Sequence, residues 1–115
     1  MLLKKALNLT KNVNALLCEK DKKALYLYAS KVPRNGVIVD IGTAAGGSAF
    51  IMALASKPSV KVITIDPVVN ADFLFNRKGV GLAKKLSFIN KTSDSAFRNW
   101  HGGKIDMLFV DGVHS

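Results

Sequence analysis

The sequence predicts an α/β protein built on an open, parallel sheet with helices ahead of it. Short, continuous apolar runs at Val37–Ile41, Val60–Ile65, Leu86–Asn90 and Ile105–Val110 read as strands buried on both faces. Helix-patterned segments separate them, and parallel strands need such crossovers. Acids lie at the carboxyl ends of three runs, at Asp40, Asp66 and Asp111, where open α/β sheets bind their ligands.

The first third of the chain reads as helix. Leu2, Ala6, Leu9, Val13, Leu16 and Leu17 recur at three- and four-residue steps, with Asn8 or Thr10 able to interrupt them and cap a second piece. A further helix is expected over Lys20–Lys31, with Ala24, Leu25, Leu27 and Tyr28 turned to the core. Pro33-Arg34-Asn35-Gly36 is a turn and stops it. Ser48–Ser56 is helical in pattern and ends at Lys57-Pro58. Arg77–Lys85 is predicted helical, although Gly79 and Gly81 oppose it. Ser93–Trp100 is a short helix with Ser93 or Asp94 near its cap, and His101-Gly102-Gly103 turns the chain into the last strand. Phe88, Phe97 and Trp100 read as core residues rather than a base-stacking platform. The organisation expected is helices over 1–34 and one α/β domain over 35–115.

Composition bounds the function. The chain has 115 residues, room for one core. Hydrophobic residues make up 49% and charged residues 22%, the balance of an ordinary soluble globular protein. No run is long enough to span a membrane, and the start lacks the apolar stretch of a signal peptide, so a cytoplasmic location is expected. A lone cysteine, Cys18, excludes a disulfide framework within the chain and fits a reducing compartment. In its apolar helical setting it reads as a core or interface thiol. Seventeen basic residues against eight acidic ones give +9, which raises nucleic acid as a partner. The cations are spread along the chain in pairs such as Lys22-Lys23 and Lys84-Lys85, the pattern of a generally basic surface.

The most informative stretch is Val37–Phe50, VIVDIGTAAGGSAF, in which a strand runs into a glycine-rich turn and then a helix. Glycines there let the backbone approach a ligand closely, and Asp66, 24 residues beyond Gly42, stands where an acid can grip a ribose diol. The spacing D-x-G-x-x-x-G over Asp40, Gly42 and Gly46 differs from the dinucleotide fingerprint G-x-G-x-x-G. It resembles the first motif of class I S-adenosylmethionine-dependent methyltransferases. Asp66, the KTSDSAF segment and KIDMLFVDGVHS match later segments of that family in order. The last of these is similar to the Asp-Gly-x-His-Ser stretch of its small-molecule O-methyltransferase branch. The resemblance covers Val37–Ser115.

It implies a Rossmann-like sheet of strand order 3-2-1-4 and the cofactor S-adenosyl-L-methionine. Gly42, Thr43 and Gly46 belong to the turn around the methionine part of that cofactor. By the same resemblance Ser48, at the start of the next helix, would help bind its carboxylate. Asp40 would orient the loop and approach the amino group, Asp66 would accept both ribose hydroxyls, and Ser93 and Asp94 would approach the adenine. Asp111 is implied as a ligand for Mg²⁺ in metal-dependent members. With His114 it is the candidate catalytic residue, His114 serving as a base or a substrate contact. The acceptor implied is an oxygen of a small molecule or sugar. Apolar Phe73, Leu74 and Phe75 are candidates for a lid over the cofactor.

The family fold continues through three more strands beyond the position of Ser115. A sheet ending on its fourth strand exposes an apolar edge. An N-terminal fragment, a split or decayed gene product, a homo-oligomer or a chain completed by a C-terminal half is therefore expected. Two other readings compete: an NAD(P)-binding Rossmann domain, and a non-catalytic basic module for RNA or a protein partner. The glycine spacing opposes the first, and the lack of an aromatic-basic motif opposes the second.

Overall fold

The computed structural model describes residues 19–42, 47–69, 74, 78, 82 and 84–110. Helix α1 covers Glu19–Ser30 and strand β1 Val37–Ile41. Helix α2 covers Gly47–Ala55, strand β2 Lys61–Ile65 and strand β3 Leu86–Ile89. Helix α3 covers Ser93–Arg98 and strand β4 Met107–Val110. The strands form one sheet in the order β3-β2-β1-β4, every pair parallel, as expected from the sequence.

Strand alternation divides the side chains between two layers. Ile38, Val62 and Leu86 face α1 and α2 and join Leu25, Ala29, Phe50, Ile51 and Met52 in the larger core. Val39 and Ile65 face α3 and meet Ala96, with Phe97, Trp100 and Ile105 packed around them. The middle strands β1 and β2 are therefore covered on both faces, which explains why they read as unbroken apolar runs. The first helix of this core is rotated from the expected arrangement. Leu25, Ala29 and Val32 point inward, while Ala24 is exposed and Leu27 and Tyr28 are 56% and 65% exposed. Leu25, Ala29 and Val32 follow four- and three-residue steps and form the continuous stripe.

The turns are made as their residues demand. Asn35 has φ 64°, and the Gly36 amide donates to the Pro33 carbonyl at 3.0 Å. A Cβ on Gly36 would lie 2.6 Å from Val32 and 2.8 Å from the Pro33 oxygen, so only glycine fits. Gly102 lies under the Trp100 ring, where a Cβ would come within 2.2 Å. Trp100 tilts against Phe97 with centroids 5.1 Å apart and donates its indole N–H to the Gly103 carbonyl at 2.8 Å. Two lysines finish the helices. Lys57 Nζ donates to the carbonyls of Ser30 and Val32 at the end of α1. Lys85 Nζ donates to those of Ala53, Ser56 and Lys57 at the end of α2. Helix ends leave carbonyls unpaired and carry partial negative charge, so a cation is the natural cap.

β4 is an edge strand. It starts two residues later than the apolar run suggests, because Asp106 serves as a tie: its amide donates to the Val37 carbonyl at 2.8 Å and its carboxylate accepts from the Val37 amide at 2.9 Å. Leu108 and Val110, on the side away from α1, are 52% and 55% exposed. On the other side an open groove of about 780 Å³ runs between α1 and β4, lined by Ala24, Leu25, Tyr28, Val32, Met107 and Phe109 among others. The expected helix over Arg77–Lys85 does not reach its end, since Lys84 and Lys85 form a turn. The N-terminal segment expected to be helical, with Cys18, lies outside the described residues.

Candidate functional site

At the carboxyl ends of β1, β2 and β3 the chain encloses a cleft of about 210 Å³. Ile41 and Gly42 come from β1, Ile65, Asp66 and Pro67 from β2, and Thr92 and Ser93 from the segment after β3. Each strand delivers its residues to the same end because all run parallel in matched register, with Asp40 beside Thr64 and Thr64 beside Phe88. Three residues singled out in the sequence, Gly42, Asp66 and Ser93, thus meet in one place.

Gly42 is buried, has φ 98° and donates its amide to the Ile65 carbonyl at 2.9 Å. That positive φ suits glycine and closes the end of β1 onto β2. Asp66 caps the turn after β2: its Oδ1 accepts from the Val68 amide at 2.8 Å. This is an Asx-type turn, and it sets Asp66 at the edge of the cleft. Asn90, just after β3 and with its amide nitrogen turned inward, donates to the carbonyls of Asp66 and Pro67 at 3.2 and 2.8 Å and braces this turn.

Asp40 stands behind the cleft rather than in it. It is 0% exposed on the α2 face of β1. Ser48 Oγ donates to its Oδ1 at 3.1 Å and Thr64 Oγ1 to its Oδ2 at 3.0 Å. Ser48 is 3% exposed and is the second residue of α2. A hydroxyl carries one proton, so Ser48 spends its own on Asp40 and keeps only acceptor capacity. Any anion at the start of α2 is then met by backbone N–H groups.

The cap of α3 is Thr92, not Ser93 or Asp94: Thr92 Oγ1 accepts from the Ser95 amide at 3.2 Å. Asp94 falls in the first turn, is 85% exposed and pairs with Arg98 at 3.0 Å, a surface pair worth up to about 1 kcal/mol. It is not among the residues lining the cleft. Thr43, Gly46, Asp111 and His114 lie outside the described residues. Phe73 and Phe75 do as well, while Leu74 packs against the larger core. Among the described residues no three His, Cys, Asp or Glu side chains gather as a metal site, and no helix is long and apolar enough to cross a membrane.

The reading of residues alone missed Thr64, Asn90, Thr92 and Asp106. Thr64 looked like any β-branched strand residue; its one signal was a hydroxyl placed two residues before the strand-ending acid. Asn90 and Thr92 were visible as polar residues after a strand, a common position for turn chemistry.

The fold matches solved structures over most of the chain. It is similar to cofactor-bound Rv0187 from MTB, at 20% identity and a TM-score of 0.72, with 94% of this chain and 51% of that one covered. It is similar to the S-adenosylhomocysteine-bound methyltransferase PaMTH1 of Podospora anserina, at 15% identity and 0.72, covering 96% and 49%. It is also similar to the O-methyltransferase TomG of Streptomyces achromogenes, solved with S-adenosylmethionine, at 22% and 0.68, covering 96% and 52%. The chain spans about half the length of these structures. No curated protein matches it. A family profile described as a methyltransferase domain matches residues 39–115, which takes in both ends of the cleft and all four strands but the first two residues of β1. The chain belongs to that methyltransferase-domain family.

Proposed function

We propose that this chain forms the S-adenosylmethionine-binding part of a methyltransferase acting on an oxygen of a small molecule or sugar. One observation supports the reading above the rest: Gly42, Asp66 and Ser93, from three separate segments, border one cleft at the carboxyl end of the sheet. The likeness to an O-methyltransferase solved with S-adenosylmethionine points the same way.

In this proposal each residue has a physical task. The Gly42 turn, continued by Thr43 and Gly46, lets the backbone come close to the methionine portion. The first turn of α2 offers N–H groups to its carboxylate, with Ser48 inside that turn. Asp66 accepts both ribose hydroxyls, and Ser93 lies toward the adenine, with Asp94 at the margin. Asp40 acts from behind. The sulfonium supplies an activated methyl group, and transfer is an in-line displacement in which alignment is the protein's main contribution. Asp111 and His114 are proposed for the acceptor side, Asp111 also as a ligand for Mg²⁺.

The proposal includes a division at 34/35, a cytoplasmic location and an association that covers β4, through a homo-oligomer or a complementing half. The exposed Leu108 and Val110 support that last point.

Calorimetric titration of the chain with S-adenosylhomocysteine tests the reading, with Asp66→Ala as control. Micromolar binding that the substitution abolishes is the expected outcome. A preference for NAD over S-adenosylhomocysteine, or salt-sensitive RNA binding without cofactor binding, defeats it.

A further inference from the structure

Thr64 lies in β2 beside Asp40 and is 0% exposed, on the apolar face that also carries Val62. Valine has the same shape and would satisfy packing there. A hydroxyl in that layer is a cost unless it is bonded, and this one donates to Asp40 Oδ2 at 3.0 Å. Asp40 also takes the Ser48 hydroxyl, so one buried carboxylate joins β1, β2 and the first turn of α2. A buried acid between an apolar sheet and an apolar helix opposes stability unless its oxygens are satisfied. Such departures from an apolar core concentrate where a site needs them.

We propose that Thr64 is a positioning residue for the cofactor. It holds the Asp40 carboxylate in one orientation. Asp40 in turn holds Ser48, and through it the angle at which the first N–H groups of α2 meet the ligand. Thr64 touches no ligand itself. The two ends of the arrangement differ in consequence: losing the Thr64 hydroxyl removes one of the bonds that orient Asp40, whereas losing a neighbouring methyl only loosens the core.

The inference rests on the S-adenosyl cofactor reading. The test is titration of the 115-residue chain with S-adenosylhomocysteine, alongside its thermal midpoint. The variants are Thr64→Val, Thr64→Ser and, as a packing control on the same face, Val62→Ala. The inference predicts that Thr64→Val weakens binding about tenfold, through a misplaced first turn of α2 rather than through a bond to the ligand. Thr64→Ser restores it to within about threefold, since its hydroxyl reaches the same oxygen. Val62→Ala lowers the midpoint without a matching loss of affinity. Wild-type affinity in Thr64→Val overturns the assignment, as does a loss no larger than that of an equally destabilised Val62→Ala. Binding that Asp66→Ala abolishes and Thr64→Val leaves intact sinks Thr64 alone. No binding by the folded wild-type chain sinks both readings. Should Thr64→Val fail to fold, Thr64→Ala takes its place under the same criteria.

Discussion

The Gly42 amide donates to the Ile65 carbonyl at 2.9 Å, and this bond pins the glycine turn to the end of the neighbouring strand. Because Gly42 sits at φ 98°, an alanine there works against its own Cβ at about 1–2 kcal/mol. Gly42→Ala is expected to lower the unfolding midpoint and to weaken S-adenosylhomocysteine binding together. A drop in stability with affinity untouched would remove Gly42 from the ligand site.

Asp66 has two separable duties. Asparagine keeps an oxygen for the Val68 amide, so Asp66→Asn should preserve the turn and the thermal midpoint. It loses the charged acceptor for a diol. A loss of about 10- to 100-fold in affinity is expected, the range for hydrogen bonds to charged groups. Titration calorimetry reads it, and equal affinity in both proteins contradicts the ribose role.

Lys85→Met removes three bonds to the end of α2 and should cost about 1–3 kcal/mol in chemical denaturation. Burial pulls the Lys85 ammonium below its usual 10.5. Between that lowered value and 10.5 the unfolded chain holds more protons than the folded one, so the contribution of Lys85 to stability rises with pH across this window. The gap between wild type and Lys85→Met is expected to widen as pH approaches 10.5. A narrowing gap would contradict the burial of this group.

Leu108 and Val110 are more than half exposed on an edge strand. Leu108→Lys and Val110→Lys should leave the midpoint within about 0.5 kcal/mol, as surface changes do, and reduce concentration-dependent association. Sedimentation velocity across a concentration series checks this. Association unchanged by both substitutions would remove this face from the interface.

β1 and β2 were legible because burial on both faces leaves a continuous apolar signature, and β1 was legible to its last residue; β4 carries the same apolar run although Leu108 and Val110 on one face are more than half exposed. The ends set by side-chain chemistry were not. Asp106 looked like part of a strand until its carboxylate was found on the Val37 amide, and Thr92 lost the cap in the reading to its neighbours. The inward face of α1 was misjudged because Leu27 and Tyr28 are large, and size outweighed the step of the stripe that packs. That Gly42 and Asp66 end neighbouring strands on one side of the sheet was readable from the spacing of the apolar runs. Asp40 was readable as important, but its direction was not, because a strand's register with its neighbour decides which hydroxyls an acid meets.

The capping lysines change what the net charge means. Lys57 and Lys85 have turned their ammonium groups onto the chain's own carbonyls, so these cations neutralise internal dipoles. Binding to a polyanion draws on counterions released by cations that reach phosphates, and its salt slope counts only those. The field that an approaching nucleic acid meets is therefore weaker than a sum of +9 suggests, and these two residues contribute little to any such slope.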